Sequence, residues 1–199
     1  MSEQSVDLGR RRFLTVATTV TGGIGVAFAV TPFVASMKPS ARAQALGAAI
    51  EVDISKIEAG AMIKAEWRGK VVYIVKRTAP ELERLLSFGE NQLRDPDSEQ
   101  PKQPAYARNY HRSIRDDILV LVGVCTHLGC APEFRPEVAP ADLGPAWKGG
   151  FFCACHGSKF DLAGRVYKGV PAPLNLQIPP HRYLADTVIL IGDDTGAKA

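Results

Sequence analysis

CTHLGC, Cys125 to Cys130, and CACHGSKFD, Cys153 to Asp161, decide how this 199-residue chain is read. Together they hold all four cysteines and two of the four histidines. An apolar run, DILVLVGV (Asp117–Val124), feeds the first stretch, and FFC (Phe151–Cys153) feeds the second. Short apolar runs that end at such loops read as strands. The sequence therefore sets two matched Cys–His loops at strand ends.

Three kinds of chemistry use such a pair. Two plain disulfides would consume the four cysteines but leave His127 and His156 without a role. A structural zinc could take two cysteines and two histidines, although Cys-x-His is unlike the usual Cys-x2–4-Cys knuckle. A 2Fe–2S cluster with one iron on two cysteines and the other on two histidines needs four ligands. Cys125-x-His127 and Cys153-x2-His156 supply one thiolate and one imidazole each. Cys130 and Cys155 would remain, one per loop, and a disulfide between them would tie the loops together.

Strand signals dominate the rest of the chain from Ile50 onward. IEVDI and AMIKAEW alternate apolar with polar residues, and RGK turns the chain into VVYIVKR. PELERLLSF, Pro80 to Phe88, has proline at a first helical position and apolar residues at helical spacing, which predicts a short packing helix. KFDLAGRVY holds a Gly-centred turn between short strands, and RYLAD and TVILIG close the chain as strands. Asn91–Gln103 (NQLRDPDSEQPKQ) reads as a solvated loop, and Ala131–Phe152, containing PEVAPADLGPAWKGG, as a surface insertion. His111 and His181 lie outside the motif and read as surface or loop histidines. The head is a β-sandwich-like domain.

The N-terminus carries GRRRFLTVAT, a twin-arginine pattern of the receptor-read export type. Phe13 to Met37 then runs 25 residues without a charge. A bilayer core needs about 20 such residues as a helix, whereas signal-peptide apolar cores are shorter, about 7–15 residues. Length favours a retained transmembrane helix over 13–37, with Arg10–Arg12 holding residues 1–12 in the cytoplasm. Five threonines, Gly22, Gly23, Gly25 and Pro32 dilute the run, and ARAQA (Ala41–Ala45) resembles a cleavage site, which is the competing reading. Residues 38–49 (KPSARAQALGAA) read as a tether that its alanines could make partly helical.

The formal net charge of +3 lies within residues 1–45, and the remainder balances 19 basic against 19 acidic residues. No basic face is left for nucleic acid, which argues against that partner.

CTHLGC with CACHGSKFD resembles the Rieske proteins, specifically their quinol-oxidising branch. GVPAPLNL, Gly169 to Leu176, is similar to the family's proline-rich loop over the cluster. The export signal, single anchor, tether and β head follow the pattern of the Rieske subunit of the cytochrome bc complexes. The resemblance covers nearly the whole chain and is weakest at 89–112.

It implies an all-β Rieske-type head (antiparallel sheets, residues 50–199, with a cluster-binding subdomain at about 118–178) on one N-terminal transmembrane helix. It implies one 2Fe–2S cluster held by Cys125, His127, Cys153 and His156, with both imidazoles exposed and a potential that depends on pH above neutrality. It also implies a Cys130–Cys155 disulfide and a Ser158 hydroxyl donating to a bridging sulfide. His156 and His127 would be the catalytic pair, and His156 and Leu128 would contact the quinone. Two imidazoles in place of two thiolates make the cluster less negative and easier to reduce.

The implied activity is oxidation of ubiquinol at the outer face of a bacterial inner membrane, with the head periplasmic. One electron passes to a c-type cytochrome while the head swings on its tether, the other goes to haem b, and protons leave outside. A cytochrome b subunit and a cytochrome c1-type haem subunit are the implied partners, with ubiquinol and the membrane. Two positions depart from the pattern. Phe160 stands where mitochondrial-type relatives have a tyrosine that donates to a cysteine sulfur, and Ala154 stands where many have proline. The second reading is the Rieske small subunit of a periplasmic oxidase such as arsenite oxidase. A third is a metal-free secreted module held by two disulfides.

Overall fold

The structure, a computed structural model, describes residues 7–89 and 91–197. Residues 1–6 of the segment read as cytoplasmic, and the last two of the head, lie outside the described residues. The chain divides into two units, one ending at Ala45 and one running from Leu46.

The first unit is dominated by helix α1 (Leu8–Ser36), 29 residues long. At 1.5 Å per residue it spans about 43 Å, more than the roughly 30 Å of a hydrocarbon core. Among the described residues it is the one helix long and apolar enough to cross a membrane. The Asp7 carboxylate caps it by accepting from the Gly9 and Arg10 N–H groups at 2.9 and 3.2 Å. Three of the five threonines that dilute its apolar run bond back to the helix. Thr15, Thr19 and Thr31 donate to the carbonyls of Arg11, Thr15 and Ala27 at 2.8, 2.8 and 2.6 Å. Each hydroxyl is thereby spared the cost of entering lipid without a partner. Ala41–Gly47 forms a second short helix, α2, so part of the alanine-rich tether is helical.

The second unit is all-β, built from three antiparallel three-stranded sheets. The base sheet orders β1 (Ile50–Asp53), β9 (Val188–Ile191) and β8 (His181–Ala185). The middle sheet orders β2 (Met62–Trp67), β3 (Lys70–Lys76) and β4 (Ile118–Val122). The third orders β5 (Glu133–Arg135), β6 (Gly150–Cys153) and β7 (Ser158–Asp161). Side chains alternate faces along a strand, and the middle sheet uses both. Val72, Ile74, Ile118 and Val120 share a core with Ile189 and Ile191 of the base sheet. Tyr73, Val75, Leu119 and Leu121 share another with Cys125, Phe151, Cys153 and Phe160. Burial on both faces is why ILVLV is apolar without alternation. Helix α3 (Ala79–Leu86) forms where the proline and its periodicity place it, with the Glu81 carboxylate accepting from the Thr78 N–H at 2.7 Å.

Three expectations need correction. Asn91–Gln103 is not a solvated loop throughout, because Leu93 and Ser98 are fully buried within it. The 131–152 spacer is not a plain surface insertion. It contains β5, paired with β6 from Glu133↔Phe152 to Arg135↔Gly150, and it buries Trp147, whose Nε1–H donates to the Arg135 carbonyl at 3.1 Å. His181 is a core residue, 1% exposed, with Nδ1 2.8 Å from the Pro179 carbonyl. Polar sequence concealed all three, since the buried groups are satisfied by backbone partners that composition does not reveal.

Candidate metal centre

Two turns of the same construction carry the Cys–His pairs. In the first, the Gly129 N–H donates to the Cys125 carbonyl at 3.0 Å; in the second, the Gly157 N–H donates to the Cys153 carbonyl at 2.9 Å. Both glycines take left-handed φ, +85° and +78°, which an L side chain adopts only with strain. The Cys125 N–H also donates to the Cys130 carbonyl at 2.7 Å, closing the first turn. Strands β6 and β7 carry the second, with Cys153 and Ser158 paired across its base.

Each turn begins with a buried free cysteine: Cys125 and Cys153 are both 2% exposed. Burial and the neighbouring Cys125 thiol push the Cys153 thiol above its usual range. The imidazoles of His127 and His156 meet edge to face, ring centroids 4.7 Å apart. His156 is exposed, whereas His127 is half-buried rather than exposed as expected. Cys130 and Cys155 join the two turns in a disulfide with Cα atoms 6.8 Å apart. The reading of four cysteines as two disulfides is thereby overturned. The sulfurs of Cys130, Cys153 and Cys155 lie within 4.8 Å of one another, but the disulfide occupies two of them. Cys153 is the thiol of that trio left to ligate. Leu128 stands at the tip of the first turn, 70% exposed.

The residues fit a mixed-ligand cluster on a structural test. His127 Nδ1 is buried and has no hydrogen-bond partner among the described residues. An orphaned buried acceptor or donor costs about 1–3 kcal/mol, and metal ligation beside two buried thiols would remove that cost.

The proline-rich segment Gly169–Leu176 covers the centre. Ser158, fully buried, accepts from the Ala172 N–H at 3.0 Å through Oγ, leaving its own proton to donate elsewhere. Thr126, between Cys125 and His127, donates from Oγ1 to the Leu174 carbonyl at 2.6 Å. Tyr73 supports the centre from the middle sheet. Its hydroxyl donates to the Pro132 carbonyl at 2.9 Å, and its ring stacks on Phe151 at 6.0 Å. A Cβ on Gly123 would lie 2.4 Å from that ring. Thr126, Tyr73 and Gly123 were not singled out from sequence. Only Gly123, interrupting an apolar strand just before Cys125, carries a local signal, that of close backbone approach.

Comparison with known proteins agrees with this geometry. Residues 104–180 match the family described as "Rieske [2Fe-2S] domain", and residues 1–40 match "Ubiquitinol-cytochrome C reductase Fe-S subunit TAT signal". The ubiquinol–cytochrome c reductase iron–sulfur subunit of Allochromatium vinosum is 57% identical over 99% of this chain and 95% of its own. This chain belongs to the Rieske iron–sulfur subunits of ubiquinol–cytochrome c reductase. Its counterpart from Rhodospirillum rubrum is 43% identical over 92% of this chain and 91% of its own. A solved chain of a hyperthermophilic respiratory complex III is 28% identical, covering 88% of this chain and 98% of its own, with a TM-score of 0.47. As a Rieske subunit the chain carries a [2Fe–2S] domain on a single apolar helix behind a twin-arginine signal, and its role is electron transfer.

Proposed function

We propose that the chain oxidises ubiquinol at the outer face of a bacterial inner membrane, passes one electron to a c-type cytochrome and contributes to proton translocation. The observation that carries this reading is the pairing of two buried thiols with a two-imidazole tip, one ring of which is open to solvent. The 57% identity to a ubiquinol–cytochrome c reductase subunit supports it.

Bound at this site, a Rieske cluster supplies a one-electron acceptor with a potential of roughly −150 to +300 mV, against about −400 mV for all-cysteine plant-type clusters. Cys125 and Cys153 would hold one iron, and His127 and His156 the other. The Ser158 hydroxyl would donate toward the cluster, favouring the added negative charge. The exposed His156 ring and Leu128 contact the quinol, and His156 can accept a hydrogen bond there only once its metal-free nitrogen has lost its proton. The Cys130–Cys155 disulfide keeps the two turns in register.

Helix α1 is the anchor, crossing the membrane with residues 1–12 cytoplasmic and Arg10–Arg12 on the inner side. The head, residues 50–199, lies outside, with residues 118–178 forming the cluster-binding part. A cytochrome b subunit completes the quinone pocket, and a cytochrome c1-type haem subunit receives the electron. The small subunit of a periplasmic oxidase, the second reading open from sequence, has no observation in its favour.

The test is quinol-dependent cytochrome c reduction in membranes. Cells lacking the chain should lose the activity, and Leu128→Ala should slow it several-fold with iron content unchanged, since Leu128 is 70% exposed. An unaltered rate in membranes without the chain contradicts the function, and an unaltered rate in Leu128→Ala contradicts the assigned contact.

A further inference from the structure

The segment Asn91–Gln103 is hydrogen-bonded to the proline-rich loop and to the residues on either side of it. The Arg94 N–H donates to the Val166 carbonyl at 2.9 Å, and the Lys168 N–H donates to the Gln92 carbonyl at 2.9 Å. The Arg94 guanidinium reaches the Val170 carbonyl at 3.3 Å, and the Ile178 N–H donates to the Lys102 carbonyl at 2.8 Å. Arg112 closes the far end, donating to Gln103 Oε1 at 3.0 Å and to the Leu176 carbonyl at 2.7 Å.

One side chain concentrates this contact. Asn175 is fully buried. Its Oδ1 accepts from the Val166 N–H at 2.9 Å, and its Nδ2 donates to the Asp95 carbonyl at 2.9 Å. The same Nδ2 lies 3.3 Å from Asp95 Oδ2 and 3.4 Å from Ser98 Oγ. Asn175 therefore links the Val166 backbone, which is bridged to Phe160, to Asn91–Gln103, within the loop that also carries Ala172. Pro171 and Pro173 fix their own φ on either side of Ala172, which limits how far this stretch can flex between Ala172 and Asn175.

We propose that Asn91–Gln103 is a brace, and that Asn175 is a positioning residue whose bonds to Asp95 and Ser98 hold the Ala172 N–H on Ser158 Oγ. A hydroxyl that accepts a hydrogen bond becomes a stronger donor, because bonds in a chain polarise one another. The brace thus sets how strongly Ser158 donates toward the cluster, and through it the reduction potential. This inference rests on the reading of Ser158 as a donor to the cluster.

The experiment measures two things in the full-length, cluster-bearing protein: the midpoint potential, and the hydrogen exchange of the segment containing Ala172. Asn175→Ala should lower the potential and speed exchange at Ala172 at least tenfold. In a Ser158→Ala background, Asn175→Ala should lower the potential no further, because the two act in series. If Asn175→Ala yields no cluster-bearing protein, Asp95→Ala removes one acceptor from the brace and should shift both readouts the same way, by less. Unchanged Ala172 exchange, an unchanged potential, or full additivity with Ser158→Ala overturns the proposal. A Ser158→Ala protein of unaltered potential instead overturns the reading of Ser158 on which it rests.

Discussion

His127 and His156 stand edge to face, 4.7 Å between ring centroids and 88° between planes, although they occupy different positions in their turns. His127 follows its turn's first cysteine by two residues and His156 by three. The offset gives the rings unequal surroundings, one half-buried with an orphaned Nδ1 and one exposed. Sequence symmetry between the two loops thus yields an asymmetric tip, with one ring half-buried and the other open to solvent.

The disulfide between Cys130 and Cys155 joins residues 25 apart and is the covalent link between the two turns. Closing a loop of that length stabilises by about 3.5 kcal/mol in the chain-entropy account. Cys155→Ser should cost a loss of that order in denaturant unfolding and should lower both iron retention and the potential. A variant that keeps a native cluster at full stability would show that the staple is dispensable.

Gly123 packs directly against the Tyr73 ring, and a Cβ there would lie 2.4 Å from it. The Tyr73 ring cannot retreat, since its hydroxyl is bonded to the Pro132 carbonyl and its face stacks on Phe151. Gly123→Ala should therefore destabilise the head by about 1–3 kcal/mol, the usual cost of overpacking. Gly123→Ala combined with Tyr73→Leu should recover part of the loss. Equal stability of Gly123→Ala and the parent protein would contradict the contact.

Phe160 is fully buried in the same core as Cys125 and Cys153. Phenylalanine offers no hydroxyl to a cysteine sulfur, so Phe160→Tyr should raise the midpoint potential by adding a donor that favours the reduced charge. Redox titration of the two proteins compares them directly, and an unchanged value would mean that the new hydroxyl finds another partner.

Burial holds the His181 imidazole below its usual value of 6.5, and its Nδ1 faces the Pro179 carbonyl. A carbonyl only accepts, so Nδ1 carries the proton and the ring is neutral in the folded head. As pH falls below about 6.5 the unfolded chain binds a proton that the folded chain refuses, and stability declines. His111 contributes in the same direction through burial, opposed by Asp116. The unfolding midpoint should drop between pH 7.5 and pH 5.5, and His181→Asn should flatten that slope. A slope as steep in the variant would assign the acid sensitivity elsewhere.

Period and punctuation made much of this fold legible. Alternation in MIKAEW, the uninterrupted ILVLV and the proline at the start of α3 each report a local requirement, and the structure meets each locally. The Cys130–Cys155 pairing was also legible, since the two loops leave one cysteine each once an imidazole–thiolate set is assigned. What stayed hidden are long-range polar contacts. Asp95 to Asn175, Trp147 to Arg135 and Tyr73 to Pro132 join segments through backbone carbonyls, and a carbonyl has no letter in the sequence. For the same reason Asn91–Gln103 looked solvated, and His181 looked like a surface residue.

The central claim is that two sulfurs and two imidazoles from this pair of turns hold a diiron cluster. Electron paramagnetic resonance of the dithionite-reduced full-length protein, with iron and acid-labile sulfide counted per chain, tests it most directly. Two irons, two sulfides and the signal of a histidine-ligated [2Fe–2S] centre are expected, with the signal lost in Cys153→Ser. Gently prepared protein that holds neither iron nor sulfide, or a signal that survives Cys153→Ser, contradicts it.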